Sequence, residues 1–158
     1  LMSLKSLNLR SNRLRFFSPI HFNTSIFKLE LTFLDLSNNF LKTLFNRMFE
    51  SFINLMKLDL SSNLIEKIEY EAFFGLENLK TLYLFHNKIK YLDKFTFFYL
   101  KNIEILSLSQ NLIRILKNDT FYYLFSLKSI SLFENNIEWT YTGAFYSLLN
   151  LNDELDFK

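Results

Sequence analysis

The side chains in this sequence that could move protons or hold a metal are few and scattered. The two histidines, His21 and His86, fall in different parts of the chain, and neither has an acidic neighbour at metal-ligand spacing. Cysteine is absent, which removes thiolate nucleophiles, disulfides and sulfur-ligated metal sites. Serines such as Ser107 and Ser131 have no base at a meaningful spacing, and two glycines are too few for a phosphate-cradling loop. What does recur is a carboxamide. Asn39, Asn63, Asn87, Asn111 and Asn135 stand 24 residues apart, with Asn12 27 residues before the first. An asparagine carries two donors and an acceptor, so its chemistry here is hydrogen bonding to backbone at a bend. The residues point to a protein that is not an enzyme, with no cofactor and no metal.

The elements that position these asparagines repeat with them. Units begin at Leu4, Leu31, Leu55, Leu79, Ile103 and Leu127, with a partial unit from Leu151. Across the units, apolar residues hold the first, fourth, sixth, eleventh, fourteenth and twenty-second positions, asparagine the ninth and phenylalanine the nineteenth: Phe22, Phe49, Phe73, Phe97, Phe121 and Phe145. Ser25 and Thr140 are the departures from the apolar columns. Alternation through the fourth to sixth positions predicts one short strand per unit with one face buried. Successive strands stack in parallel about 4.8 Å apart. The chain has two Gly and one Pro, where average usage gives about 11 and 8, so buried asparagine hydrogen bonds are expected to set the turns. The first unit is 27 residues long and holds Pro19, which suggests a bulged loop.

This pattern resembles the leucine-rich repeat family in its 24-residue extracellular form, and is similar to the repeats of Toll-like receptor and Slit ectodomains. The resemblance covers essentially the whole chain, 1–158, as a single array. It implies an α/β repeat solenoid: a curved leucine-rich repeat horseshoe with a parallel β-sheet on the concave face and loops or short 3-10 turns on the convex face. Leu1 precedes Leu4 by three residues, as Leu76 precedes Leu79, and the cysteine-rich caps of extracellular members are absent, so the array is expected to be part of a longer one. In the last unit Glu154 and Asp156 stand where leucines belong; one extra residue would restore the pattern through Leu155 and Phe157.

With the scaffold columns committed to the core, recognition falls to the residues between them. The third, fifth, seventh and eighth positions should point out of the sheet face, which nominates Tyr83, Phe85 and His86, flanked by Lys57, Asp59 and Ile105, with Phe33, Phe133 and Asp35 extending the patch. Exposed aromatics on a rigid sheet suit a protein ligand or co-receptor. Asp35 and Asp59 share a column and would favour a cationic partner, although Lys57 offsets them. At position twenty, Phe74, Phe98, Tyr122 and Tyr146 form a lateral stripe, either a partner or dimer surface or rings that shield one another. Two sequons, at Asn23 and Asn118, are candidates for N-glycosylation on the return segments.

Eighteen basic and 16 acidic residues leave a formal net charge of +2, with no footprint for nucleic acid. No apolar run reaches the ~18 to 20 residues of a membrane span, so direct membrane insertion is not expected. With the resemblance and the sequons, the expectation is a non-catalytic protein-recognition module of an extracellular or cell-surface receptor. A secreted matrix protein and an intracellular scaffold are the alternatives.

Overall fold

The computed structural model describes residues 4–18, 30–148 and 155–156. Pro19, His21, Phe22, Asn23, Ser25 and Leu151 lie outside the described residues. The strands are β1 (Ser6–Asn8), β2 (Phe33–Asp35), β3 (Thr43–Leu44), β4 (Lys57–Asp59), β5 (Lys67–Ile68), β6 (Thr81–Tyr83), β7 (Ile105–Ser107), β8 (Ile115–Leu116), β9 (Ser129–Ser131), β10 (Trp139–Thr140) and β11 (Leu155–Asp156). Seven of them make one parallel sheet in the order β1-β2-β4-β6-β7-β9-β11, one strand per repeat. On the opposite side, β3 pairs with β5 and β8 with β10, and a 3-10 helix runs over Thr142–Phe145. The architecture is that of a leucine-rich repeat solenoid.

Register follows the sequence period. Leu34, Leu58, Leu82, Leu106 and Ile130 pair in succession at intervals of 24, while Leu7 pairs with Leu34 across the 27-residue first unit. At the far end Leu155 pairs with Ile130, an interval of 25, which is the single extra residue inferred from the misplaced acids Glu154 and Asp156. The leucines of the strands and the phenylalanines of the nineteenth column form one continuous core. Rings of Phe49, Phe73, Phe97, Phe121 and Phe145 stack with centroids 6.5, 6.2, 6.3 and 5.8 Å apart. Phe17, at the apolar fourteenth position of the first unit, lies on Phe49 and Phe52, 6.2 Å from each. Burying a ring of this size contributes about 1.5 to 3 kcal/mol, and each stacked pair adds about 0.5 to 1.5 more.

The asparagines tie one repeat to the next. The backbone N–H groups of Leu41, Ile65, Ile89 and Ile113 donate to Oδ1 of Asn63, Asn87, Asn111 and Asn135, one repeat on, at 3.0 to 3.1 Å. Each Nδ2 in return donates to the sixth-position carbonyl of its own repeat and of the preceding one, as Asn87 does to Leu84 and Leu60, both at 3.0 Å. The residue just before each asparagine also bends the chain. Ser11, Asn38, Ser62, His86, Gln110 and Glu134 all have φ between 51° and 58°. That left-handed conformation costs a non-glycine residue roughly 1 kcal/mol or more, which the bound asparagine holds in place. Glycine is required at Gly75, where φ is 88° and a Cβ would lie 2.9 Å from the Glu50 backbone.

Asn87→Ala removes an acceptor and two donors from buried carbonyls and amides, so we expect a loss of roughly 1 to 3 kcal/mol. A urea titration checks this; an unchanged midpoint would mean that the backbone groups find partners without the side chain.

Candidate recognition surface

In-register pairing places the third-position residues Phe33, Lys57, Thr81, Ile105 and Ser129 in one row, and Asp35, Asp59, Tyr83, Ser107 and Ser131 in the next. The structure gathers three of the expected residues from these rows, with Phe85 beside them. Lys57 Nζ sits 5.4 Å from the Phe33 ring centroid and 5.0 Å from that of Tyr83. Tyr83 meets Phe85 edge-on at 6.1 Å. A cation held over two ring faces on a short strand is confined in position, and the rings around it keep partly exposed surfaces. Ile105, 40 % exposed, and the exposed His86, whose Nδ1 is 3.3 Å from Ser62 Oγ, border the group. Phe133 is half-buried and stands two repeats beyond Phe85, with the buried Ser109 between.

Asp35 must be corrected. Period-two alternation points it outward, but it is only 6 % exposed, and its Oδ1 accepts from the N–H and Oγ–H of Ser37 at 2.9 and 2.6 Å. A carboxylate spent on its own strand end is not offered to a ligand. Asp59 makes the same two bonds to Ser61, also at 2.9 and 2.6 Å, and stays half-exposed. The two acids therefore finish strands, and neither side chain is aimed at a shared cation.

The lateral stripe is a network of rings. Phe74 packs edge-on against Tyr99 at 5.2 Å, and Phe98 against Tyr99 and Tyr123 at 5.1 and 4.7 Å. Tyr70 and Phe95, which the twenty-position column did not mark, join it at 5.7 to 6.5 Å. Burial pushes the Tyr99 phenol up, and its hydrogen bond with Tyr70 adds to the rise. Phe74 and Phe98 are half-buried, whereas Tyr122 and Tyr146 are exposed. Arg47 lies over Phe74 at 4.6 Å.

A further set of groups lies outside the repeat columns. Asn78 and Asn102 each donate through Nδ2 to a carbonyl of the preceding repeat, Ile53 and Glu77, at 2.9 and 2.7 Å, and Ser126 does so through Oγ to Lys101. Beside this second ladder, Glu104 bridges Lys80 at 3.2 Å and Lys128 at 2.7 Å. The 24-residue spacing of these groups was the available signal. A groove of about 610 Å³ runs along them from Lys5 to Ser126.

The Lys128 and Lys80 ammonium groups hold the Glu104 carboxyl below its ordinary range, Lys128 through the stronger hydrogen bond. A folded-state pKa below the unfolded one stabilises the fold above the unfolded value and ceases to do so as pH falls through the folded value. Glu104→Gln should therefore lower the urea midpoint at pH 7 and converge with the parent chain at pH 3, with the difference shrinking in high salt. Equal midpoints at both pH values would show that the bridge does not favour the fold.

With this geometry in view, comparison with known proteins is direct. Residues 29–89 and 78–137 match one leucine-rich repeat profile and residues 3–24 another. The crystal structure of the TLR13-ssRNA13 complex superposes with a TM-score of 0.91 at 36 % identity, over 96 % of this chain and 21 % of that one. The Drosophila Toll of the Toll–Spatzle complex superposes with a TM-score of 0.71 at 29 % identity, over 85 % of this chain and 17 % of that one. The chain thus spans about a fifth of the length of these receptors. No curated protein matches its sequence. The profiles cover well over half of the residues, and with the asparagine and phenylalanine columns they show that this chain belongs to the leucine-rich repeat family.

Proposed function

We propose that the chain is a ligand-recognition segment of an extracellular or cell-surface receptor, non-catalytic, which holds a protein partner against its sheet face. The observation that carries this reading is the Phe33–Lys57–Tyr83–Phe85 cluster, where rings and a confined cation share one partly exposed surface. Such anchors bury large areas while little side-chain entropy remains to be lost on binding. The likeness to Toll-like receptors supports the receptor setting. Among the described residues no helix is long and apolar enough to cross a membrane.

One similar structure holds single-stranded RNA and the other a protein, Spatzle. The charge of this face favours protein. Among the described residues Arg10 and Lys57 are the cations at its outward positions, against Asp59 and Glu134, so it lacks the row of basic side chains that tracks a phosphate backbone.

A photo-crosslinking residue at Ile105, beside the cluster, is expected to yield protein adducts on cells displaying the parent chain, while one at Glu66 on the side away from the sheet yields none. Tyr83→Ala with Phe85→Ala should cut the Ile105 adduct about tenfold or more, with a Tm within a few degrees of the parent. Ribonuclease-sensitive adducts, or equal adducts at both positions, would overturn the reading.

A further inference from the structure

We propose that Asn118 carries an N-linked glycan that packs over Tyr122 of the lateral stripe and the neighbouring Tyr141, so that this end of the flank is clothed by sugar and does not serve as a protein-docking face. The proposal rests on the extracellular reading above. Asn118 opens the triplet Asn118-Asp119-Thr120, an acceptor motif that by itself arises often by chance. The geometry adds what the motif lacks. Asn118 is exposed, and its Oδ1 accepts from the Gly143 N–H of the next repeat at 3.1 Å. The absence of a side chain on Gly143 makes room for it, since a Cβ there would lie 2.9 Å from Oδ1. With the oxygen pinned, the planar carboxamide fixes the direction of Nδ2, the atom that takes the sugar.

The inter-repeat bond does not require the hydroxyl at position 120, which in the fold is buried and donates to the Lys117 carbonyl at 2.8 Å. Asn46, at the same place in its repeat, accepts from the Glu71 N–H at 2.9 Å with Met48 where Thr120 stands. The surroundings of Asn118 also differ from the rest of the stripe. Tyr122, whose N–H closes a turn onto the Asp119 carbonyl, is 47 % exposed, and Tyr141, two residues before Gly143, is 56 % exposed. Upstream, Phe74 and Phe98 are locked beneath Tyr99 and Tyr123. Tyr122, four residues from the pinned acceptor, and Tyr141, beside its partner Gly143, thus keep open surface, although Tyr122 also meets Tyr123 and Phe125 edge-on. A tethered saccharide suits them, because its apolar C–H faces cover aromatic rings while its hydroxyls, like the phenols, stay in water.

In the attachment step Nδ2 forms a bond to the anomeric carbon of a polyprenyl-diphosphate-linked oligosaccharide in the secretory compartment. The carbon–oxygen bond breaks, the lipid diphosphate leaves with the electron pair, and the amide loses one proton. Oδ1 is untouched and keeps its bond to Gly143.

The test uses the parent chain produced in animal cells, as wild type, Thr120→Ser, which retains the motif, and Asn118→Asp, which retains the acceptor for Gly143 but cannot be glycosylated. Surface biotinylation reports location, mass spectrometry of the Asn118 peptide before and after amidase release reports the glycan, and tetranitromethane kinetics report ring access. We expect glycan on wild type and Thr120→Ser, and several-fold faster nitration of Tyr122 and Tyr141 in Asn118→Asp with the exposed Tyr91 unchanged. An unmodified Asn118 on surface-located protein overturns the site and leaves the extracellular reading standing. Equal nitration rates overturn the packing. A chain found only inside the cell overturns the extracellular reading and this proposal with it.

Discussion

Each turn that ends a sheet strand would bury backbone carbonyls and amides without partners, and a carboxamide side chain is what satisfies them. Asn63, Asn87, Asn111 and Asn135 donate within their own repeat and to the one before, and accept from the one before as well. At least half of each asparagine's bonds therefore exist only when a neighbour is in place. Stability is shared across repeat boundaries, and the translation between repeats is held at the spacing of a parallel sheet. The left-handed residues at the eighth position depend on this arrangement too, because seryl, glutaminyl and glutamyl residues adopt φ near 50° to 58° only where the surroundings compel it.

Around that central ladder the flanks carry weaker ties in the same period. Arg47 pairs with Glu71, Arg114 forms a forked pair with Glu138, and Gln110 donates to Glu134, each partner 24 residues away. Exposed pairs of this kind contribute little one at a time. Their significance lies in register: a slip by one residue would break all of them while also turning the strand leucines out of the core.

How much of this was legible in the sequence divides along physical lines. The Asn and Phe columns could be read because each is a single residue type doing the same job in every repeat. The second ladder of Asn78, Asn102 and Ser126 was equally periodic, but it mixes residue types and sits among polar neighbours. Asp35 was misread because alternation reports which face a side chain leaves from and not how far its neighbours cover it; Asp59 makes the same bonds to its serine and stays half-exposed. The eighth-position bend was illegible, since serine, asparagine, histidine, glutamine and glutamate share no propensity for positive φ beyond that of asparagine and histidine. The Lys57 clamp required three adjacent strands to be placed in register before Phe33 and Tyr83 could be seen on either side of one ammonium.

Rigidity and recognition are linked through that same register. Phe33, Lys57 and Tyr83 belong to three different repeats, so their separation is set by the asparagine ladder beneath them and not by a loop. A surface built this way meets a partner with its anchors already oriented, and the ordering cost of binding falls largely on the partner. The lateral rings follow the opposite logic: Phe74 and Phe98 spend their faces on Tyr99 and Tyr123 and so have less to offer outside the chain. The aromatic side chains of this protein thus divide by what lies within reach in the adjoining repeats. Where neighbouring repeats supply rings, the faces close on one another; where they supply a single lysine, part of each face is left for something else to cover.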